Sequence, residues 1–284
     1  MKPVVVSTEP PLRQAVAAAR CAGQTIGFVP TMGALHAGHV SLIDAARAAD
    51  GFVVVSLFVN PTQFGPKEDF SRYPRPLERD LELCAGAGVD LVFTPDAATM
   101  YPPGFRTSIE VEELADVLDG ASRPGHFRGV ATVVLKLFNL VQPDSAYFGQ
   151  KDAQQVRILQ QMVRDLDVPV EVVVRPTVRE PDGLALSSRN QYLDANQRRE
   201  ATALNRALAE AEAAVRAGER DAARLERTMA ERIAATPGAA LDYAVAVDAD
   251  TLKPVTPLKR TILLALAVKF GATRLIDNRV VTVE

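Results

Sequence analysis

The sequence predicts an α/β chain, with a doubly wound parallel sheet followed by a smaller α+β domain. Two observations carry that expectation. Up to about residue 178, apolar runs of strand length alternate with amphipathic stretches of helix length, the pattern of a parallel sheet covered by helices on both faces. Beyond it the texture changes to Ala-, Arg- and Glu-rich helical stretches and then three β-like runs. A boundary near residue 180 is therefore expected, dividing 1–179 from 180–284.

Strands are read at 25–30, 52–60, 90–94, 145–149 and 170–175. Most of these are rich in Val, Ile or Phe, and several close on Pro, Gly or Asn. Helices are read between them at 12–20, 39–49, 77–87, 128–141 and 153–165. Glu180-Pro181-Asp182-Gly183 is a turn signal at the domain boundary. After it come helices at 195–217 and 221–235 and strands at 241–247, 261–268 and 274–283, with no internal repeat.

The bulk numbers exclude several classes. With 284 residues, 48% of them hydrophobic and 24% charged, the chain can bury substantial cores and is neither fibrous nor disordered. A formal net charge of −3 argues against nucleic acid as the main partner, since phosphate backbones are met by a basic excess. Cys21 and Cys84 lack metal-type spacing and are expected as small buried hydrophobes rather than a disulfide. No signal-peptide core and no apolar run of membrane-spanning length is found, so the expected location is cytoplasmic, with no membrane partner.

Polar residues gather where strands end, which is where parallel sheets bind ligands. The first cluster is Pro30-Thr31-Met32-Gly33-Ala34-Leu35-His36-Ala37-Gly38-His39, running from a strand into a helix. His36 and His39 share one face of the helix start, where backbone N–H groups and the dipole already favour an anion. Gly38 allows a ligand close to the backbone. Two imidazoles there could donate to phosphate oxygens as charge accumulates. The same spacing also fits surface histidines or half of a zinc site, although no Glu of the His-Glu-x-x-His kind and no third ligand lies nearby.

Further clusters follow. Phe58-Val59-Asn60-Pro61-Thr62-Gln63 offers the amides of Asn60 and Gln63, or simply an Asn-Pro turn. Asp69, Arg72, Tyr73 and Arg75 make a partly cationic loop that could face a carboxylate. Arg123-Pro124-Gly125-His126-Phe127-Arg128 places arginines that could grip a carboxylate, or solvated charges at a helix entry. Gly149-Gln150-Lys151-Asp152 supplies a point charge suited to phosphate and a candidate metal or ribose contact that also fits a helix N-cap, with Gln155 one turn on. Leu186-Ser187-Ser188-Arg189-Asn190 could close over a polyphosphate or be an ordinary turn. Neither a P-loop nor a Gly-x-Gly-x-x-Gly fingerprint is present, so a nucleotide would be held in another way.

In that order, PTMGALHAGH, FVNPTQFG, GHFRGV, FGQKDAQQ and SSRN closely resemble the pantoate–β-alanine ligases, over nearly the whole chain. The resemblance implies a Rossmann-like fold of the nucleotidyltransferase superfamily and a two-step reaction. Pantoate and ATP with Mg²⁺ give an enzyme-bound pantoyl adenylate and pyrophosphate. The amine of β-alanine then displaces AMP to give pantothenate.

Carried over by motif, Pro30 to His39, Gly149, Gln150, Lys151, Asp152, Val178, Leu186, Ser187, Ser188 and Arg189 would line the ATP site. His36, His39, Lys151 and Arg189 would be the catalytic set, with His39 described in the family as proton donor. Gln63 and Gln155 would hold pantoate, with Gln63 also near β-alanine, and Asn60, Tyr73, Arg123 and His126 are candidates beside them. Mg²⁺ would ride on the ATP phosphates rather than on a protein cluster, with Asp152 the one candidate ligand. A homodimer is implied as well. Leu186 replaces a methionine common in the family, a nearly volume-conserving exchange.

Other readings are a different His-motif nucleotidyltransferase ending at an adenylylated product, a relative that charges RNA, or a nucleotide-binding module without catalysis. The short, slightly acidic chain lacks the recognition domain and basic surface of the second. The density of polar residues at strand ends speaks against the third.

Overall fold

The computed structural model describes residues 2–66 and 68–283. The chain divides into two compact units. The first comprises Met1–Asp116, Gly120–Gly149 and Gln155–Pro176, and the second Val117–Asp119, Gln150–Gln154 and Thr177–Glu284.

The first unit begins with β1 (Val4–Val6), α1 (Glu9–Cys21), β2 (Ile26–Thr31), α2 (Ala37–Ala49) and β3 (Phe52–Leu57). It continues with a 3₁₀ turn at Pro61–Gln63, α3 (Leu77–Gly86), β4 (Leu91–Phe93), a short α4 (Ala97–Met100) and a short α5 (Asp119–Ser122) that straddles the division. Then come α6 (His126–Val141), β5 (Ser145–Gly149), α7 (Ala153–Asp165) and β6 (Glu171–Arg175). The six strands form one sheet in the order β1-β4-β3-β2-β5-β6. Every pairing in it is parallel. This is the expected doubly wound architecture. Its central strands are buried on both faces, so β2 and β3 read as nearly continuous apolar runs.

Val29, Val53, Val55 and Val92 pack with Leu42, Ile43 and Cys84 in one cluster. Burying each large aliphatic side chain stabilises by roughly 1.5–3 kcal/mol. One helix cap contributes only about 1 kcal/mol. The sheet and its helices, not the local caps, therefore fix where the strand ends lie.

The second unit carries α8 (Ala195–Glu200), α9 (Ala203–Arg216) and α10 (Ala222–Ala234), followed by β7 (Ala239–Asp248), β8 (Arg260–Phe270) and β9 (Thr273–Val283). The strands make an antiparallel sheet in the order β7-β8-β9. Leu204, Leu208, Leu225, Met229 and Ile233 of the helices pack on Ile262, Leu264, Leu266 and Val268 of the central strand.

Three expectations need correction. The helix expected over 195–217 is broken near Thr202, whose hydroxyl and amide both bond the Arg199 carbonyl and so divert the helical ladder. β1 was not among the expected strands: it has only three residues, and its partner β4 lies far along the chain. Cys84 is buried as expected, but Cys21 is exposed, because it closes the last turn of α1 on its outer side. Among the described residues, no helix is long and apolar enough to cross a membrane.

Candidate active site

In the six-stranded sheet the chain runs outward from β2 to β3 and β4, then returns to add β5 on the other side of β2. The topological switch point therefore lies between β2 and β5, and ligands bind outside the carboxyl ends of strands at such points. Thr31 ends β2 and Gly149 ends β5. The motif residues 32–39 lead away from this crevice.

The turn after β2 is held from both sides. Thr31 Oγ1 donates to the Ser56 carbonyl at 2.8 Å and accepts from the Gly33 N–H at 3.1 Å. Gly33 and Ala34 both take the left-handed conformation, with φ of +80° and +51°. Asp80 on α3 receives the chain there: Oδ2 accepts from Ala34 N–H and Oδ1 from Leu35 N–H, each at 2.8 Å. Asp80 is only 2% exposed. Burial raises its pKa above the ordinary carboxylate value, and the Leu35 and Ala34 amides pull the other way. A Cβ on Gly33 would sit 3.0 Å from Asp80 Oδ2, so both the positive φ and this tight contact favour glycine there.

The two motif histidines cap α2 reciprocally. His36 is the N-cap, and its Nδ1 accepts from the Gly38 N–H at 3.1 Å. His39 Nδ1 in turn accepts from the His36 N–H at 3.3 Å. The rings lie 4.1 Å apart, centroid to centroid. Because each Nδ1 is an acceptor, the proton of each neutral ring sits on Nε2, making both Nε2–H groups donors. The sequence placed these side chains together; the structure adds their tautomers.

The 3₁₀ turn after β3 carries Gln63. Its Nε2 donates to Met32 Sδ at 2.9 Å, and its Oε1 accepts from Asn60 Nδ2 at 3.1 Å. Asn60 itself is 1% exposed. Its Nδ2 also donates to the Gly129 carbonyl, and its Oδ1 accepts from Tyr101 Oη, Thr62 Oγ1 and Thr62 N–H. All its amide capacity is used internally, so Asn60 holds the turn rather than offering itself to a substrate.

In the segment expected as a partly cationic loop, Arg72 and Arg75 are exposed while Tyr73 turns inward. Tyr73 is buried, with its ring edge-on to Phe64 at 6.0 Å, and Arg75 donates to the Tyr73 and Phe70 carbonyls. Arg123 grips an internal carboxylate: its Nε and Nη2 reach Glu68 Oε1 and Oε2, each at 2.7 Å. Burial would raise the Glu68 carboxyl, but Arg123 and the Gly65 amide outweigh that and hold it below the ordinary carboxylate range. Arg123 Nη1 lies 2.9 Å from His126 Nε2. A guanidinium only donates, so that ring carries its proton on Nδ1, which donates to the Gln63 carbonyl at 2.8 Å. Arg123 and His126 thus brace the Gln63 turn through its backbone.

Two neighbouring glutamines have different fates. Gln154 is 5% exposed, its amide occupied by the Asp119 N–H and the Val117 carbonyl. Gln155, the expected substrate residue, is half-buried.

In the second unit, Lys151 lies in the 3₁₀ turn Gln150–Asp152, its Nζ 3.6 Å from Asp152 Oδ1. Asn278 on β9 donates from Nδ2 to the carbonyls of Gln150 at 3.0 Å and Lys151 at 2.9 Å. Its neighbour Asp277 takes both Nη groups of Arg179, at 2.6 and 2.9 Å. Arg179 pairs with Ala185 in a short bridge, and the Leu186 N–H bonds the Val178 carbonyl, at the base of the Ser187–Arg189 loop. Ser187 caps the following 3₁₀ turn by accepting the Arg189 N–H. Among the described residues, no group of three or more His, Cys, Asp or Glu is arranged to hold a metal. Sequence reasoning missed Asp80, Glu68, Asp277 and Asn278.

Comparison with known proteins agrees with the expected family. A family model described as pantoate-β-alanine ligase matches residues 4–280. A pantothenate synthetase from Moorella thermoacetica is 60% identical over 96% of both chains. The crystal structure of pantothenate synthetase from Thermus thermophilus matches with a TM-score of 0.93 and 49% identity, covering 97% of this chain and 98% of that one. A pantoate-β-alanine ligase from Francisella tularensis, complexed with β-γ ATP and β-alanine, matches at a TM-score of 0.78 and 36% identity over 98% and 97% of the two chains.

Proposed function

The chain belongs to the pantoate–β-alanine ligase family and condenses pantoate with β-alanine at the expense of ATP, and from that premise we propose which residues carry the reaction. The chemical difficulty is that a carboxylate must approach a polyphosphate, two anions, and that carbon must then become a good electrophile. Adenylation of the pantoate carboxylate meets the second need: an oxygen of pantoate attacks the α-phosphorus, and the bond to pyrophosphate breaks. The β-alanine amine then attacks the acyl carbon, and AMP leaves.

Positive charge and hydrogen bonds meet the first need, so catalysis is mainly positioning and electrostatics. His36 and His39 donate from Nε2 to phosphate oxygens, a hydrogen bond that an imidazole makes without transferring its proton. Lys151 and Arg189 add charge on the phosphates, and Ser187 and Ser188 add hydroxyl donors. Pro30 to Leu35, Gly149, Gln150, Val178 and Leu186 line the nucleotide. Gln63 and Gln155 hold the hydroxyl and carboxylate groups of pantoate, with Gln63 also near β-alanine. Mg²⁺ neutralises phosphate charge when bound. Oxygen ligands suit it, and Asp152, whose carboxylate is 48% exposed, is the protein group able to join the phosphates around it. A cytoplasmic homodimer completes the proposal, and light scattering of the purified protein tests the assembly.

The reciprocal histidine cap is the observation that supports this reading best, since it turns two side chains into fixed donors beside the sheet's switch point. The test is His39→Ala and, separately, Lys151→Ala. Each is expected to lower pantoate-dependent exchange of pyrophosphate into ATP by orders of magnitude, about 10²-fold or more, with the fold retained. Near-normal exchange in either variant overturns that residue's assignment.

A further inference from the structure

We propose that Asp277 and Asn278, adjacent on β9, are positioning residues for the phosphate-handling loops, an inference that rests on the assignment of Lys151 and Arg189 to the phosphates. The two side chains are 2% and 5% exposed. Buried polar groups are retained at a cost unless they are fully paired, and both of these spend their hydrogen bonds on segments carrying proposed phosphate ligands.

Asn278 sets the Lys151 turn. Its Nδ2 has two protons, and they go to two consecutive carbonyls, Gln150 and Lys151, at 3.0 and 2.9 Å. Its Oδ1 accepts from Gln150 Nε2 at 3.1 Å. One side chain thus holds the two peptide planes that meet at Lys151 Cα, and with them the direction in which the Lys151 side chain leaves the backbone. The geometry needs an amide. A carboxylate in its place would set oxygen against two carbonyl oxygens, and an aliphatic residue would leave both carbonyls without this partner.

Asp277 sets the other loop. It takes a bidentate grip from Arg179, whose Nη1 also donates to the Gly183 carbonyl at 3.0 Å. Arg179 is held opposite Ala185 in the bridge that precedes Leu186 and Ser187. Asp277 Oδ1 also accepts the backbone N–H of Asn278 at 2.8 Å, so the carboxylate is held against the strand backbone at the next residue. One dipeptide of the carboxyl-terminal strand therefore orients both the turn bearing Lys151, 127 residues earlier, and the stem of the Ser187–Arg189 loop.

The experiment compares the full-length wild type, Asn278→Ala, Lys151→Ala and the double variant by pantoate-dependent ATP–pyrophosphate exchange, with the thermal midpoint of each measured alongside. If Asn278 acts by aiming Lys151, Asn278→Ala lowers the exchange kcat about 10- to 100-fold in the wild-type background and less than about twofold in the Lys151→Ala background. The KM for β-alanine in the full reaction stays within about twofold of wild type on the same reasoning. Should Asn278→Ala fail to fold, Asn278→Ser, which keeps one donor, is read in its place. The proposal is overturned if the Asn278 variant exchanges like wild type, or if it loses the same factor in both backgrounds, as a general loss of structure would. Near-normal exchange in Lys151→Ala alone would instead remove the phosphate assignment on which the proposal rests.

Discussion

Glu68 and Arg123 illustrate how a side chain's role follows from its partner rather than its type. As a free arginine near a glycine-rich helix entry, Arg123 reads as a grip for a substrate carboxylate; in the fold its fork is filled by Glu68. The folded pKa of Glu68 lies below its ordinary 4.5, so the pair stabilises the protein above that pH. That stability is lost as pH falls through the lowered value. Glu68→Gln is therefore expected to cost on the order of 1 kcal/mol at pH 7. Its deficit should vanish in acid, where the wild-type carboxylate is itself protonated. Urea unfolding of both proteins across a pH series checks this, and a deficit that persists unchanged at low pH would contradict it. That the histidines and Gln63 follow strand ends was legible in the sequence, because the strands β2 and β3 and these residue types are both read locally. Asp80, Glu68 and Asn278 were not, because their partners lie 45, 55 and 127 residues away and only the folded sheet brings them together.

At the scale of elements, the packing of α6 against the Pro61–Gln63 turn decides where Gln63 lies. A Cβ on Gly129 would fall 2.4 Å from the Thr62 carbonyl oxygen and 2.8 Å from Gln63 Cα, all of it backbone with little freedom to move. Gly129→Ala should gain up to about 1 kcal/mol in helix propensity. It should lose roughly 1–3 kcal/mol or more to the overlap, so the steric effect wins. The expected outcome is a lower thermal midpoint and, on the proposed role of Gln63, a raised KM for pantoate, because the turn bearing Gln63 is pushed outward. A variant at least as stable as wild type would show that the contact is softer than described. Helix and strand order were legible from periodicity, and most boundaries fall within a few residues of those read from it. The glycine of GHFRGV was legible as a residue but not as a contact, since nothing local says that another turn's backbone lies against it.

At the scale of the whole molecule, the second unit is assembled from pieces distant in sequence. Val117–Asp119 and Gln150–Gln154 belong with residues from Thr177 onward, although both precede the expected boundary near 180. Asp119 accepts from Tyr243 and lies 2.6 Å from an Nη of Arg274, which also reaches Asp242. A fragment spanning 177–284 would lack Asp119 and the Gln150–Lys151 carbonyls that pair with Asn278. Losing a partner of a largely buried ion pair costs on the order of 3 kcal/mol. The isolated fragment should therefore melt well below the corresponding transition of the intact chain, measured by circular dichroism. An equal midpoint would mean that the unit is complete without those insertions. A change of composition near residue 178 made two bodies legible, but no local signal marks short inserts that join a later body.

The opposite tautomers of the histidines have a practical use. The chain has only three: His36 and His39 carry the proton of the neutral ring on Nε2, and His126 carries it on Nδ1. In a protein labelled with ¹⁵N at histidine, three ring systems make a spectrum simple enough to assign by single substitutions. On the proposed assignment, two would report on an anion arriving at α2, and the third would report on whether the Arg123 brace is intact. Substrate occupancy and loop integrity could thus be followed separately in one titration, without adding a probe to the molecule.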